Sequence, residues 1–351
     1  MTTATCAAPA AARQAPSPWI VGPRFDLAFF IGSGLLGFLV LGVRAIIPAY
    51  ATLLLCALVS ICLDQVHVFH TFTRTYLDRA EFGRARRFYV LTAVVVFLTF
   101  TGATLLGMGY ALSLILYASA WHQAKQHYGF VKLYDRRRPA SSLGAWDAWL
   151  DNFCLFGGIF SPILYIFRLQ DLGEVDRRLL TPHVPVPWAL AVMGVVAVGF
   201  LAMAFREAYR HWRFGEIAWQ KCLVIVMASG LVLAAAALAT ELIVILVAIT
   251  SFHATQYIAI TWLYNRNKYA EGFSPENPVT SRLVQKRWRW LYFGMGIIYG
   301  AIVVGLQRVD LLVPLAYTMT GVHFVVDARI WKVKYCPDIR AHLRAPSSAG
   351  A

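Results

Sequence analysis

Apolar residues fall along this chain in windows of roughly twenty, the length a helix needs to cross the hydrocarbon core of a bilayer. Ten windows can be marked, at about 27–48, 50–72, 88–107, 109–131, 148–168, 187–206, 221–239, 241–263, 290–306 and 311–328. They predict an all-α fold, a polytopic integral membrane bundle of about ten transmembrane helices over 27–330. A tail and entry segment (1–26) precedes the bundle and a cytoplasmic tail (331–351) follows it. Residues 1–18 are rich in Ala, Pro, Ser and Thr with no apolar core, so they read as a disordered tail and not as a cleavable signal. The least regular windows are the fifth, where "FGGIFSP" (156–162) could break the helix, and the first, which carries Arg44 near its outer end.

Composition agrees with that pattern. The 351 residues are 59% hydrophobic and only 14% charged, against about 25% charged in an ordinary soluble domain. The formal net charge of +14 would suggest nucleic acid in a soluble protein, but its placement argues otherwise. Of 32 Lys and Arg, 24 lie in five segments (74–87, 132–138, 206–221, 266–289 and 329–344), with no interleaving of basic and aromatic residues. This is the positive-inside distribution, and it excludes a nucleic-acid surface. It places both termini in the cytoplasm of an inner-membrane, multi-pass protein, with every even-numbered span running inward. The stretch 170–186, with Asp171, Glu174, Asp176, Arg177 and Arg178, becomes a weakly charged outer loop punctuated by Pro182 and Pro185. The six cysteines (Cys6, Cys56, Cys62, Cys154, Cys222 and Cys336) form no CxxC, so neither a disulfide framework nor a thiolate metal site is expected.

The chemistry lies in the histidines. His183, His211 and His342 fall in loops or tails, whereas six others lie on four even-numbered spans. These are His67 and His70 on the second, His122 and His127 on the fourth, His253 on the eighth and His323 on the tenth. Each precedes the basic exit of its helix by 4 to 14 residues, hence ~6–21 Å from the cytoplasmic end, so they share one slab of the membrane. Ionisable groups inside a membrane are costly and face bundle interiors. A single one is explained by a helix-bridging hydrogen bond; six at one depth point to a shared metal site.

Spacing extends the candidate set. In "LDQVHVFHTFTR" (63–74), His67 and His70 are i,i+3, and Asp64 stands three residues before His67, as a ligand or as the partner that orients its imidazole. In "GVHFVVDAR" (321–329), Asp327 is i+4 from His323. His253 shares its face with Gln256 and Tyr257. In "SAWHQAKQHYG" (119–129), His122 and His127 are five apart, about 140° around a helix, so both bind only if a π-bulge intervenes. His122 pairs better with Gln126, and Gln123 with His127. Arg74 and Lys125 could bind an anionic headgroup or carboxylate, or snorkel to the interface. A weak internal echo joins "QHYGFVKLYDR" (126–136) to "QYIAITWLYNR" (256–266), aligning Gln126 with Gln256. Duplication explains it, and so does the preference of any inward-running helix end for Tyr and Arg.

Imidazole with occasional carboxylate suits iron, zinc or copper. Six histidines exceed the needs of one zinc ion, so two iron ions would use them all. Haem is less well matched, because no helix carries histidines about four turns apart. "HVFH" (67–70), "HQAKQH" (122–127) and the single histidines of spans eight and ten loosely resemble the histidine boxes of membrane-bound non-haem di-iron enzymes, the desaturase and hydroxylase group. No HxxHH box occurs here, and that group normally has fewer spans. The distribution over several helices is also similar in style to the bacterial Brp/Blh-type carotene dioxygenases, which are polytopic, iron-dependent and histidine-ligated. The resemblance implies an oxygenase, hydroxylase or desaturase acting on a hydrophobic small molecule amid membrane lipid, with an electron donor where the reaction needs one. Two alternatives remain at this stage. One is a transporter or a proton- or metal-conducting protein using the same histidines. The other is a zinc-dependent membrane hydrolase, which the missing HExxH disfavours.

Overall fold

The structure, a computed structural model, describes residues 17–137, 144–167, 179–182, 184–239, 241–332, 334–336 and 338–343. Residues 1–16 of the expected tail with Cys6, most of the expected outer loop including its five charged residues, and His183 lie outside the described residues.

All ten apolar windows become helix, and no strand occurs among the described residues. The chain enters through α1 (Pro23–Phe25), a π-helical turn (Asp26–Ile31) and α2 (Gly34–Arg44). The carboxylate of Asp26 holds the entry by accepting from the backbone N–H groups of Ile20 (2.7 Å) and Val21 (3.0 Å) and from the Tyr134 hydroxyl (3.1 Å). α3 (Ala49–Val59), a second π-helical turn (Ser60–Asp64) and α4 (Gln65–Arg74) form one continuous span. A short α5 (Arg79–Arg84), capped by the Asp78 side chain, leads to α6 (Arg86–Leu106). One residue, Gly107, turns α6 into α7 (Met108–Asp135); its φ of +144° is open to glycine and hardly to any other residue. Then follow α8 (Ala145–Ile166), α9 (Val186–Phe214), α10 (Trp219–Leu238), α11 (Leu242–Lys268), the short α12 (Pro278–Leu283), α13 (Arg289–Leu306), α14 (Val313–Ile330) and α15 (Ile339–His342).

Among the described residues, eight spans are long and apolar enough to cross a membrane, and nine when the pair bent by 44° at Gly32–Ser33 is counted as one. The window that fails is α7. Its 28 residues extend ~42 Å, but the HQAKQH stretch makes its second half too polar to qualify. The feared break in the fifth window is absent, since α8 runs unbroken with Pro162 inside it.

α11 is the central post: two thirds of its apolar window is buried, against 22% for α6, α9 and α13. It packs against α2, α4, α7 and α10, with α14 and α13 beyond α4, and α8 and α9 beyond α10. Close approach of α13 to the α3–α4 span depends on Gly300. A Cβ there would run into the Ile61 backbone carbonyl and meet the Gln65 Cβ at 3.1 Å, so glycine alone fits without a backbone shift.

Charged residues tie the ends of the helices. Toward the basic end, Lys221 of α10 is buried and donates to Asp135 of α7 (2.9 Å) and to Asp151 of α8. Arg206 of α9 reaches the other Asp151 oxygen (2.6 Å) and the Asp147 backbone carbonyl (3.1 Å), and Arg210 pairs with the Asp147 carboxylate. Four helices are thereby cross-linked through groups whose charges compensate one another, the condition for burying them at all. At the opposite end Arg44 pairs with Glu241 (3.1 Å), joining α2 to α11.

Candidate metal centre

Four histidines from four helices converge: His67 of α4, His122 of α7, His253 of α11 and His323 of α14. Ring centroids stand 4.8 Å apart for His67–His253, 5.0 Å for His253–His122, 4.6 Å for His122–His323 and 4.7 Å for His323–His67, closing a four-membered ring of imidazoles. All four are buried. His67 Nε2 faces His323 Nε2 at 3.1 Å. Among the described residues, no hydrogen-bond partner serves His67 Nδ1, His122 Nε2 or either nitrogen of His253. Buried imidazole nitrogens rarely go unpartnered, and a cation is one group that would satisfy such lone pairs. Potential ligand atoms fall within 4.8 Å of one another in two triads, His67–His253–His323 and His122–His323–Asp327.

A hydrogen-bonded chain fixes one member. Thr71 Oγ1 lies 2.7 Å from His323 Nδ1 and 2.5 Å from the Tyr257 hydroxyl, and Tyr257 donates to Asp327 Oδ1 at 2.6 Å. The consistent direction runs from His323 Nδ1–H to Thr71, from Thr71 to Tyr257, and from Tyr257 to the carboxylate. That direction leaves Nε2 of His323 as the lone-pair donor turned to the cluster, the usual means of orienting a metal-binding imidazole. Asp327 Oδ2 is also 3.9 Å from His122 Nε2, so this carboxylate borders the cluster and anchors the chain at once. Thr71 went unnoticed in the sequence, although it is i+4 from His67 and so on the same face.

Asp64 Oδ1 stands 3.7 Å from His67 Nδ1 while its other oxygen accepts from Gln65 (2.8 Å). That distance fits the orienting role better than ligation. The π-helical turn at Ser60–Asp64 ends immediately before α4 and so sets the angle at which His67 leaves its helix. α7 is regular from end to end, so the π-bulge that would let both His122 and His127 bind is absent from it, and only one of the two joins the cluster.

Two histidines turn elsewhere. His70 is buried against the rings of Tyr292 (4.6 Å) and Phe293 (5.6 Å) of α13. An i,i+3 pair is still 60° apart around the helix, and that rotation directs His70 away from the cluster. His127 lies against Phe252 (4.7 Å), on the part of α7 turned from His122. The six imidazoles therefore do not converge on one cluster; four do.

The residues expected to contact substrate have other partners. Gln126 Nε2 donates to the His253 carbonyl (2.9 Å) and to Gln256 Oε1 (3.2 Å), and Gln256 donates to the Phe30 carbonyl (2.7 Å). The two glutamines aligned by the internal echo thus touch, tying α7, α11 and the entry turn together. Lys125 is exposed on the outer face of α7, its ammonium 4.4 Å from the Tyr128 ring centre. Arg74 does not snorkel. It is buried between the rings of Tyr264 and Trp331, each 3.9 Å away, and donates to the Ile330 carbonyl at 2.8 Å.

No family model matches this chain, and neither does any curated protein or solved structure. What the centre can do has to be argued from its own atoms. Four neutral imidazoles with one adjacent carboxylate form a nitrogen-rich donor set of intermediate softness, suited to iron, copper or zinc and not to magnesium or calcium.

Proposed function

We propose that this chain is a membrane-embedded, metal-dependent oxidoreductase acting on an apolar substrate, with iron held by His67, His122, His253 and His323. The observation that carries the reading is the closed ring of four buried imidazoles from four helices, several of whose nitrogens have no hydrogen-bond partner among the described residues. Four such donors suffice for one ion, and with His70 and His127 turned away they fall short of two. One iron per chain is therefore the favoured stoichiometry.

When bound there, iron would supply dioxygen activation, the chemistry that an apolar C–H or C=C bond requires. The protein's contribution is positional. The Thr71–Tyr257–Asp327 chain keeps His323 in one tautomer, Asp64 steadies His67, and the apolar helices around the cluster exclude water. An external electron donor is required if the reaction is a hydroxylation or desaturation. By the positive-inside rule, the basic exits of α4, α7, α11 and α14 support a centre nearer the cytoplasmic face of an inner membrane, with both termini cytoplasmic.

The reading is tested by oxygen uptake. Proteoliposomes containing the iron-loaded protein and a lipid extract of the expressing cells should consume dioxygen, and His323→Ala should abolish the consumption. Equal uptake by the two proteins, or none by either, contradicts the proposal.

A further inference from the structure

A second site lies on another side of α7. Helices α7, α8, α10 and α11 enclose a cavity of about 100 Å³ with an almost wholly apolar wall that includes Ile163, Leu231 and Ile245. It runs from Ser113 to His127 along α7, ~21 Å at the helical rise. A single alkyl chain is the occupant that suits so small a volume with so long a lining. Its outer mouth is crossed by residues 179–182, tied to α7 by Leu180 N–H donating to Ser113 (2.8 Å) and by the Tyr117 hydroxyl donating to the Leu180 carbonyl (2.5 Å).

The inner end is not apolar. Gln123 and His127, one helical turn apart, both line the cavity and are more than nine-tenths buried. Gln123 Nε2 is held by Ser119 (3.0 Å), but its Oε1 has no partner, and neither has His127 Nδ1. Leaving two buried polar atoms unpaired is costly, so a group that satisfies both would be held firmly. No Lys or Arg lines the cavity among the described residues, and the nearby Lys125 is turned to the Tyr128 ring. A carboxylate would therefore meet an amide oxygen and no cation. A hydroxyl can donate to Gln123 Oε1 while it accepts from His127 Nδ1–H, and so satisfies both atoms in that imidazole tautomer.

We propose that this cavity binds a long, unbranched primary alcohol, its hydroxyl between Gln123 and His127 and its chain directed toward the Ser113 end. The site is independent of the histidine cluster, since His122 lies 100–140° around α7 from these two residues, and it stands whether or not the cluster holds a metal.

The test uses the full chain in phosphatidylcholine nanodiscs and a photoreactive probe, hexadecan-1-ol carrying a mid-chain diazirine. Mass spectrometry should place the adducts on cavity residues such as Ile163, Leu231 and Ile245, and Ile163→Trp should remove them. Unlabelled hexadecan-1-ol should compete on the order of tenfold better than hexadecane, and better than ionised hexadecanoate. Gln123→Leu with His127→Leu should erase that preference while leaving the adducts in place. Adducts confined to lipid-facing residues overturn the site. Equal competition by alcohol, alkane and carboxylate overturns the headgroup assignment, and because it is read on the unaltered protein it decides even if a variant fails to fold.

Discussion

Thr71→Val probes the centre without touching a proposed ligand. The two side chains are nearly the same size, so the change deletes one hydroxyl from a buried junction. That hydroxyl lies 2.7 Å from His323 Nδ1 and 2.5 Å from the Tyr257 oxygen. Its loss strands the His323 N–H and frees the ring to rotate or change tautomer, so Nε2 is no longer fixed toward His67, His122 and His253. Removing a partner that orients a metal-bound histidine typically lowers metal affinity 10- to 100-fold, about 1.4–2.8 kcal/mol. The assay is chelator competition on the purified protein, with iron retention followed against free metal. Thr255→Val is the matched control, because the Thr255 hydroxyl donates only along its own helix, to the Ser251 carbonyl at 2.8 Å. Thr71→Val should lose iron at chelator concentrations roughly ten or more times lower than wild type, with Thr255→Val unchanged. Equal retention by Thr71→Val and wild type would show that the chain to Asp327 does not position a ligand, and the assignment of His323 would fall with it.

The structure makes other expectations equally concrete. His70→Ala and His127→Ala should keep a full complement of iron while His67→Ala and His253→Ala lose it; metal content after gel filtration separates the two pairs. Lys221→Met leaves Asp135 and Asp151 buried with one cation fewer, and should cost about 3–5 kcal/mol in detergent unfolding. Adding Asp151→Asn to that variant should restore part of the loss, and no recovery would mean the network is not coupled as drawn. Gly300→Val should push α13 from the α3–α4 span and destabilise the protein by about 1–3 kcal/mol, read as a lower melting temperature.

Much of the architecture was legible because a bilayer imposes its thickness on the sequence: all ten windows became helices. Where hydropathy and structure part, a local reason exists. α9 continues to Phe214, past its expected end, because Arg206 and Arg210 are paired with Asp151 and Asp147 rather than released to solvent. That His67, His122, His253 and His323 lie at one level of the bundle was legible too, since distance along a helix from its basic exit survives folding. Their direction was not. His70 and His127 share the slab with the other four, but helix rotation sets one against Tyr292 and the other against Phe252. Lys221 and Arg74 looked like interfacial charge because sequence shows that a residue is basic without showing what encloses it. The cavity behind Gln123 and His127 had one trace in the sequence, the i,i+4 pairing of those residues. Its walls come from four helices far apart in the chain.

Metal analysis of the purified protein, with its optical spectrum, tests the central claim most directly. One iron per chain without a Soret band, absent from His323→Ala and retained by His70→Ala, is the predicted result. A Soret band, or a His323→Ala protein that keeps its metal, would contradict the four-histidine centre.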